Sequence, residues 1–153
     1  MVCLVASLSY SRASLVDISG ILALLAHMHG EGQDLPEIDW TKTTHVVADV
    51  VLSGVALVAK DEEGCIVGSI GGYVSSHWYS TAGHLGDLWF YVVPGCRKTK
   101  AAVQLMEGFR EAAKTLQVPL QVGHVFGDQD LERKDKFYRR MGFRPVGSIY
   151  VGE

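Results

Sequence analysis

Cysteine is scarce in this chain: Cys3, Cys65 and Cys96 are the only three in 153 residues, widely spaced and without a C-x-x-C pair. Such usage excludes a cysteine-rich zinc site, argues against a disulfide framework and points to a reducing, cytoplasmic setting. Cys96 reads as a plain small residue in a turn. No apolar run approaches the roughly 20 residues that a membrane helix needs, so no membrane association is expected. The opening "MVCLVASLSYSR" lacks the basic start and sustained apolar core of a secretory signal. Positive charge is not in surplus either: 14 Lys and Arg against 17 Asp and Glu leave a net charge of −3, so no global basic field calls for nucleic acid. His27 and His29 are not at the i,i+4 metal spacing and have no acidic partner, so no metal site is expected. Two phosphate-binding loops, G-x-x-x-x-G-K-[ST] and G-x-G-x-x-G, are missing as well.

What is present suits one compact domain over residues 1–153, with 48% of its residues hydrophobic. A β-branched run at 2–10 reads as a first strand. Leu15, Ile18, Leu22, Leu25 and Met28 recur at helical spacing up to Gly30. Asp39 is placed to cap a second helix through 40–53. Strand-like runs at 54–61 and 65–76 are joined by the turn "DEEG". A polar-aromatic loop carrying His77, Trp78, Tyr79 and His84 leads into "DLWFYVV" (87–93), the strongest strand signal, which Pro94 and Gly95 stop. An amphipathic helix, a strand at 119–126, a helix through 128–142 and a closing strand "FRPVGSIYV" complete the order β-α-α-β-β-β-α-β-α-β. That order is mixed α/β.

The stretch "VVPGCRKTKAAVQLM" (92–106) sets Arg97, Lys98 and Lys100 at the start of a helix, with no acidic residue before Glu107. A helix start already carries unpaired N–H groups and partial positive charge, so cations there are repelled unless an anion joins them. Strand end, helix dipole and side-chain charge together suit a phosphate or pyrophosphate; cations pointing into water are the plain alternative.

This stretch resembles the acetyl-CoA loop of the GCN5-related N-acetyltransferases, in which V-x-P ends a strand and R/Q-x-x-G-x-G/A opens the next helix. Val92-Val93-Pro94 matches the first part, Arg97 the leading Arg and Ala102 the final position, while Lys100 stands where the middle glycine is expected. "KFYRRMGFRPVG" (136–147) is similar to the family's late motif, a helix with an aromatic-Tyr pair followed by G-F and a strand. The order of elements agrees across nearly the whole chain, which resembles the short, divergent members, phage-encoded ones among them.

The resemblance implies a mixed, mostly antiparallel twisted sheet of six to seven strands flanked by about four helices. It also implies acetyl-CoA as cosubstrate and a primary amine as acceptor. Val92, Val93 and Pro94 would flank the pantetheine, and Arg97, Lys98, Thr99, Lys100, Ala101 and Ala102 would wrap the pyrophosphate. Tyr138 falls at the position of the thiolate-protonating tyrosine; on spacing alone it reads as a core aromatic. Asp87, at the start of the strand before the loop, is the first candidate for the general base. His124 is the second, because an ordinary imidazole titrates near neutrality, and a water chain could replace both. The chain has one strand after Gly142-Phe143 where many members have two, so a seventh strand is either absent or supplied by a partner chain, which leaves a homodimer open. Two other readings stand beside the enzyme: a catalytically silent member working through protein contacts, and nucleic-acid binding through "ERKDKFYRRMGFR", whose alternating charges otherwise describe a solvated helix face.

Overall fold

The computed structural model describes residues 7–123 and 130–152. Five strands form one sheet in the order β1-β2-β3-β4-β5: β1 (Ser9–Arg12), β2 (Val55–Lys60), β3 (Ile66–Ser76), β4 (Gly83–Val92) and β5 (Leu120–Gln121). Neighbours are antiparallel except β4 and β5, which run parallel. Helices α1 (Ile18–Gly30) and α2 (Trp40–Ser53) precede β2, α3 (Ala101–Leu116) joins β4 to β5, and α4 (Leu131–Arg140) follows. This is the mixed α/β architecture expected, with four α-helices among the described residues.

Two apolar layers enclose the sheet. On one face Ile21, Leu24, Val47 and Val50 of α1 and α2 pack on Val58, Trp89 and Tyr91. On the other, Leu105, Met106 and Phe109 of α3 pack on Val67, Ile70, Leu85 and Val92. Burial of six consecutive residues in β3, Val67–Gly72, marks it as the strand covered on both sides. The polar side chain within that run is satisfied: Ser69 Oγ donates to the Leu57 carbonyl (2.8 Å) and accepts from Trp89 Nε1 (2.9 Å). Asp39 caps α2 as its sequence position indicates, accepting from the Lys42 amide at 2.9 Å.

β4 is interrupted where the site forms. Gly71 pairs with Trp89 and Gly72 with Asp87, so Leu88 is an extra residue on β4, a β-bulge. The opposed glycines make this possible, because a Cβ on Gly72 would run into the Gly86 carbonyl and one on Gly71 into the Trp89 ring. At the same level β5 leaves β4: the pair touch only at Leu85–Leu120 and Gly86–Gln121. Beyond Gly86, this edge of β4 has no neighbouring strand among the described residues.

Three sequence expectations need correction. Residues 143–152 are not a strand, so the described sheet has five strands rather than six or seven. β propensity expresses packing on a paired surface, and with β5 only two residues long there is little edge to pair with; Ile149, Tyr150 and Val151 stay exposed. Cys65 is a free thiol, but the fully buried Cys96 is disulfide-bonded, so it is not a plain turn residue. The cationic stretch also starts differently. Pro94–Cys96 form a 3₁₀ turn, Arg97 and Lys98 lie in the turn after it, and the α-helix begins only at Ala101, with Lys100 at the N-cap position but making no side-chain cap.

Candidate active site

The gap between β4 and β5 opens into a cavity of about 1450 Å³. One wall is the end of α1, with Met28, Gly30 and Glu31; the other is α4, with Phe137 and Tyr138. Asp87, Leu88 and Trp89 form the floor, and Tyr91, Val92, Arg97 and Ala102 line the end nearest α3.

Asp87 and Tyr138 are brought together by one residue. The Gly123 amide donates to Asp87 Oδ1 at 2.9 Å, and the Gly123 carbonyl accepts from the Tyr138 hydroxyl at 3.3 Å. Burial pushes the Asp87 carboxyl up to about 6, against the opposing pull of its amide hydrogen bonds. Burial, with the Asp87 charge nearby, also raises the Tyr138 hydroxyl well above its ordinary value, so it stays protonated through neutral and alkaline pH. A carboxyl raised toward neutrality beside a phenol that keeps its proton places a proton acceptor and a proton donor in one cleft. Tyr138 is positioned by Phe137 and Phe143, its ring meeting theirs edge-on at 5.6 and 5.9 Å. Phe143 is held in turn by the Arg110 guanidinium, 4.8 Å from its ring centre, and Arg110 also donates to the Met141 carbonyl. Tyr138 is therefore both a packed aromatic and a group facing the cavity.

The residues carried over for a cosubstrate lie along one path, from the open edge of β4 through the turn to the start of α3. Val92, Val93 and Pro94 end the strand, and the first turn of α3 leaves amides without intrahelical acceptors. Thr99 is committed locally: its hydroxyl donates to the Cys96 carbonyl (2.6 Å) and accepts from the Ala101 amide (3.1 Å). Lys98 and Lys100 are exposed. Lys100 has φ −80°, so the backbone there does not demand glycine and the lysine is accommodated without conformational strain. An exposed cationic turn, a helix start and an open strand edge fit an extended thioester with a pyrophosphate at one end.

Arg97 does not simply point into water. Its Nε donates to the Val92 carbonyl at 3.0 Å, and one terminal nitrogen donates to both Glu31 oxygens at 2.9 and 2.8 Å. The guanidinium also lies over the Tyr91 ring, 5.3 Å from its centre, while the Tyr91 hydroxyl donates to Glu31 at 2.9 Å. Burial and this bond to a carboxylate push the Tyr91 hydroxyl up to about 12. Glu31 was not singled out from the sequence, although one signal exists: an acidic residue at a helix C-terminus, where the dipole disfavours it.

His124 lies outside the described residues. His84 lines the cavity and stacks on His77 (4.7 Å), which stacks on Tyr79 (5.2 Å), so the aromatic loop does border the cleft; Trp78 at its tip is almost wholly exposed. On α4, Arg133, Lys136 and Arg139 pair with Asp130, Glu132 and Asp135 of the same segment.

A sheet that splays after a bulged strand next to its edge, with a cationic turn and helix start beyond it, is the architecture of acyl-CoA N-acyltransferases. The acetyltransferase (GNAT) domain family model matches residues 53–145, and the chain belongs to that family. Solved structures agree in fold. An aminoglycoside N-acetyltransferase in complex with a bisubstrate analogue of CoA and acetylneamine superposes with TM-score 0.75 at 9% identity, covering 97% of this chain and 98% of that one. An aminoglycoside 6'-N-acetyltransferase from Acinetobacter baumannii gives 0.73 at 12%, covering 96% and 97%. A ribosomal-protein-alanine N-acetyltransferase from Brucella melitensis biovar Abortus gives 0.68 at 17%, covering 96% and 99%. No curated protein sequence matches this chain.

Proposed function

We propose that residues 1–153 form one N-acetyltransferase domain that moves an acetyl group from acetyl-CoA to a primary amine by direct attack. The observation that carries this reading is the Asp87–Gly123–Tyr138 arrangement at the point where β4 and β5 part. Asp87, ionised above about pH 6, takes the proton that the attacking ammonium must lose. Tyr138 gives its proton to the departing thiolate. Net, an ammonium and a thioester become an amide and a thiol, with one proton released to solvent. Leu88, extra in the register, and the edge of β4 beyond Gly86, which has no neighbouring strand among the described residues, supply backbone groups to orient the thioester. Val92, Val93 and Pro94 flank the pantetheine, and Arg97 to Ala102 receive the pyrophosphate.

We further infer that α4 is a structural wall rather than a nucleic-acid contact, since three of its cations are paired within the segment. Among the described residues no helix is long and apolar enough to cross a membrane. A cytoplasmic setting now rests on the need for the intracellular thioester pool, not on the cysteines.

The test is calorimetry with acetyl-CoA, followed by thiol release in the presence of diamines, amino sugars and N-terminal peptides. Binding with amine-dependent thiol release is expected. Absence of binding at millimolar acetyl-CoA would overturn the enzyme and leave a catalytically silent member of the family.

A further inference from the structure

Two helix ends in this fold carry charge of the sign that their dipoles disfavour, and they meet. Glu31 follows the last residue of α1, where backbone carbonyls already concentrate negative charge. Arg97 sits just before α3, whose first turn is positive. Each offsets the other through the two-oxygen contact, and Tyr91 steadies both. Glu31 and Arg97 both line the cavity, on the side of α1 and the side of α3 respectively. In this structure the carboxylate on the α1 wall is therefore occupied by the residue assigned to the pyrophosphate.

We propose that Glu31 is the acceptor-recognition residue of this site, and that Arg97 masks it until cosubstrate binds. The inference rests on the acetyl-CoA reading above. A pyrophosphate beside Arg97 competes with Glu31 for one guanidinium, and the two anions repel each other across it. The phosphate also has the α3 amides and Lys98 and Lys100 on its side; among the described residues Glu31 keeps the Tyr91 hydroxyl. Arg97 turns to the phosphate, and Glu31 is left as an unpaired carboxylate on the cavity wall. A second ammonium on the acceptor, apart from the amine that reacts near Asp87, is the group that carboxylate fits. The acceptor class is thus a polyamine or amino sugar carrying at least two positive charges, and it binds after the cosubstrate. Because the linkage is reciprocal, the acceptor in turn tightens cosubstrate binding.

The test titrates coenzyme A into the wild type and Glu31→Gln, alone and with Arg97→Ala. Glutamine keeps the oxygen that Tyr91 and Arg97 share but removes the charge and the second oxygen that hold Arg97, so Glu31→Gln is expected to bind coenzyme A about three- to tenfold more tightly. In the Arg97→Ala background that gain should vanish. An unchanged or weaker affinity, or an equal gain without Arg97, overturns the masking. Spermidine and neamine are then titrated with and without saturating coenzyme A. In the wild type at least one should bind more than about threefold tighter with coenzyme A present, and in Glu31→Gln neither should. No gain for either in the wild type overturns the acceptor role. A wild type that fails to bind coenzyme A at all overturns the proposed function itself, a result distinct from any of these.

Discussion

Replacing Asp87 with Asn should make the protein more stable and nearly inactive, and the stability change should depend on pH in a particular way. The carboxyl is raised from 3.8 to about 6 in the folded chain. A raised pKa means that the native state holds the proton more tightly than the unfolded one. The group's stabilising contribution is complete below about pH 4 and is lost as pH climbs through about 6. Two pH units correspond to about 3 kcal/mol at 1.36 kcal/mol per unit, and partial exposure of the carboxylate to water reduces this to about 1–2 kcal/mol. Asn is neutral throughout and keeps an oxygen for the Gly123 amide. Urea unfolding of both proteins from pH 4 to 8 should therefore give curves that coincide at the acid end and separate by about 1–2 kcal/mol above about pH 6.5, with the Asp87→Asn variant lying higher. Over the same range kcat/KM of the wild type should rise through an apparent pKa of about 6, and the variant should lose roughly 100-fold or more in turnover. A gap that is the same at pH 4 and pH 8 would show that Asp87 is not held in a costly ionised state. An activity limb near 6 that persists in the Asp87→Asn variant would assign the base elsewhere.

Tyr138→Phe should lower kcat by roughly 10- to 100-fold while leaving acetyl-CoA affinity, read by calorimetry, nearly unchanged; undiminished turnover refutes the acid role. Arg97→Ala should weaken acetyl-CoA binding by about tenfold, the scale of one charge-assisted contact, and an equal dissociation constant removes it from the site. Ser69→Ala strands the buried Trp89 N–H and should cost about 1–3 kcal/mol in chemical denaturation; the loss should shrink when Trp89 is already replaced by Phe. Gly72→Ala forces a methyl into the Gly86 carbonyl and should cost about 1–3 kcal/mol or more, visible as a lowered Tm together with reduced activity.

Helices and the β2–β3 hairpin could be read from the sequence because their signals are local. Leu25 and Met28 of the spacing read for α1 are buried, Ile18 and Leu22 partly so, while Leu15 is exposed and Ile21 and Leu24 complete the buried face; Asp39 caps as its position says. Asp87 and Tyr138 were reachable through motif position, but the contact between them was not, since it runs through the backbone of Gly123, whose side chain carries no information. The Glu31–Arg97 pair joins residues 66 apart, and neither flank hints at the other. The closing strand failed for the opposite reason: Val146, Ile149 and Val151 have the right intrinsic preference, but pairing depends on an edge that β5 barely provides.

The bulge at Leu88 has a consequence for how this chain can vary. Leu85 packs on the α3 face, while Trp89, four residues on and of the same parity, packs on the α1–α2 face. The extra residue is what switches the two halves of β4 between faces. Removing one residue from 86–88, or adding one there, would turn one half of the strand inside out and move either Leu85 or Trp89 into the wrong layer. Length changes between Gly83 and Val92 should therefore abolish folding, whereas the exposed loop at 77–82, a few residues upstream, has room to lengthen or shorten. In sequences descended from a common ancestor with this one, gaps should gather in that loop and stop short of the strand.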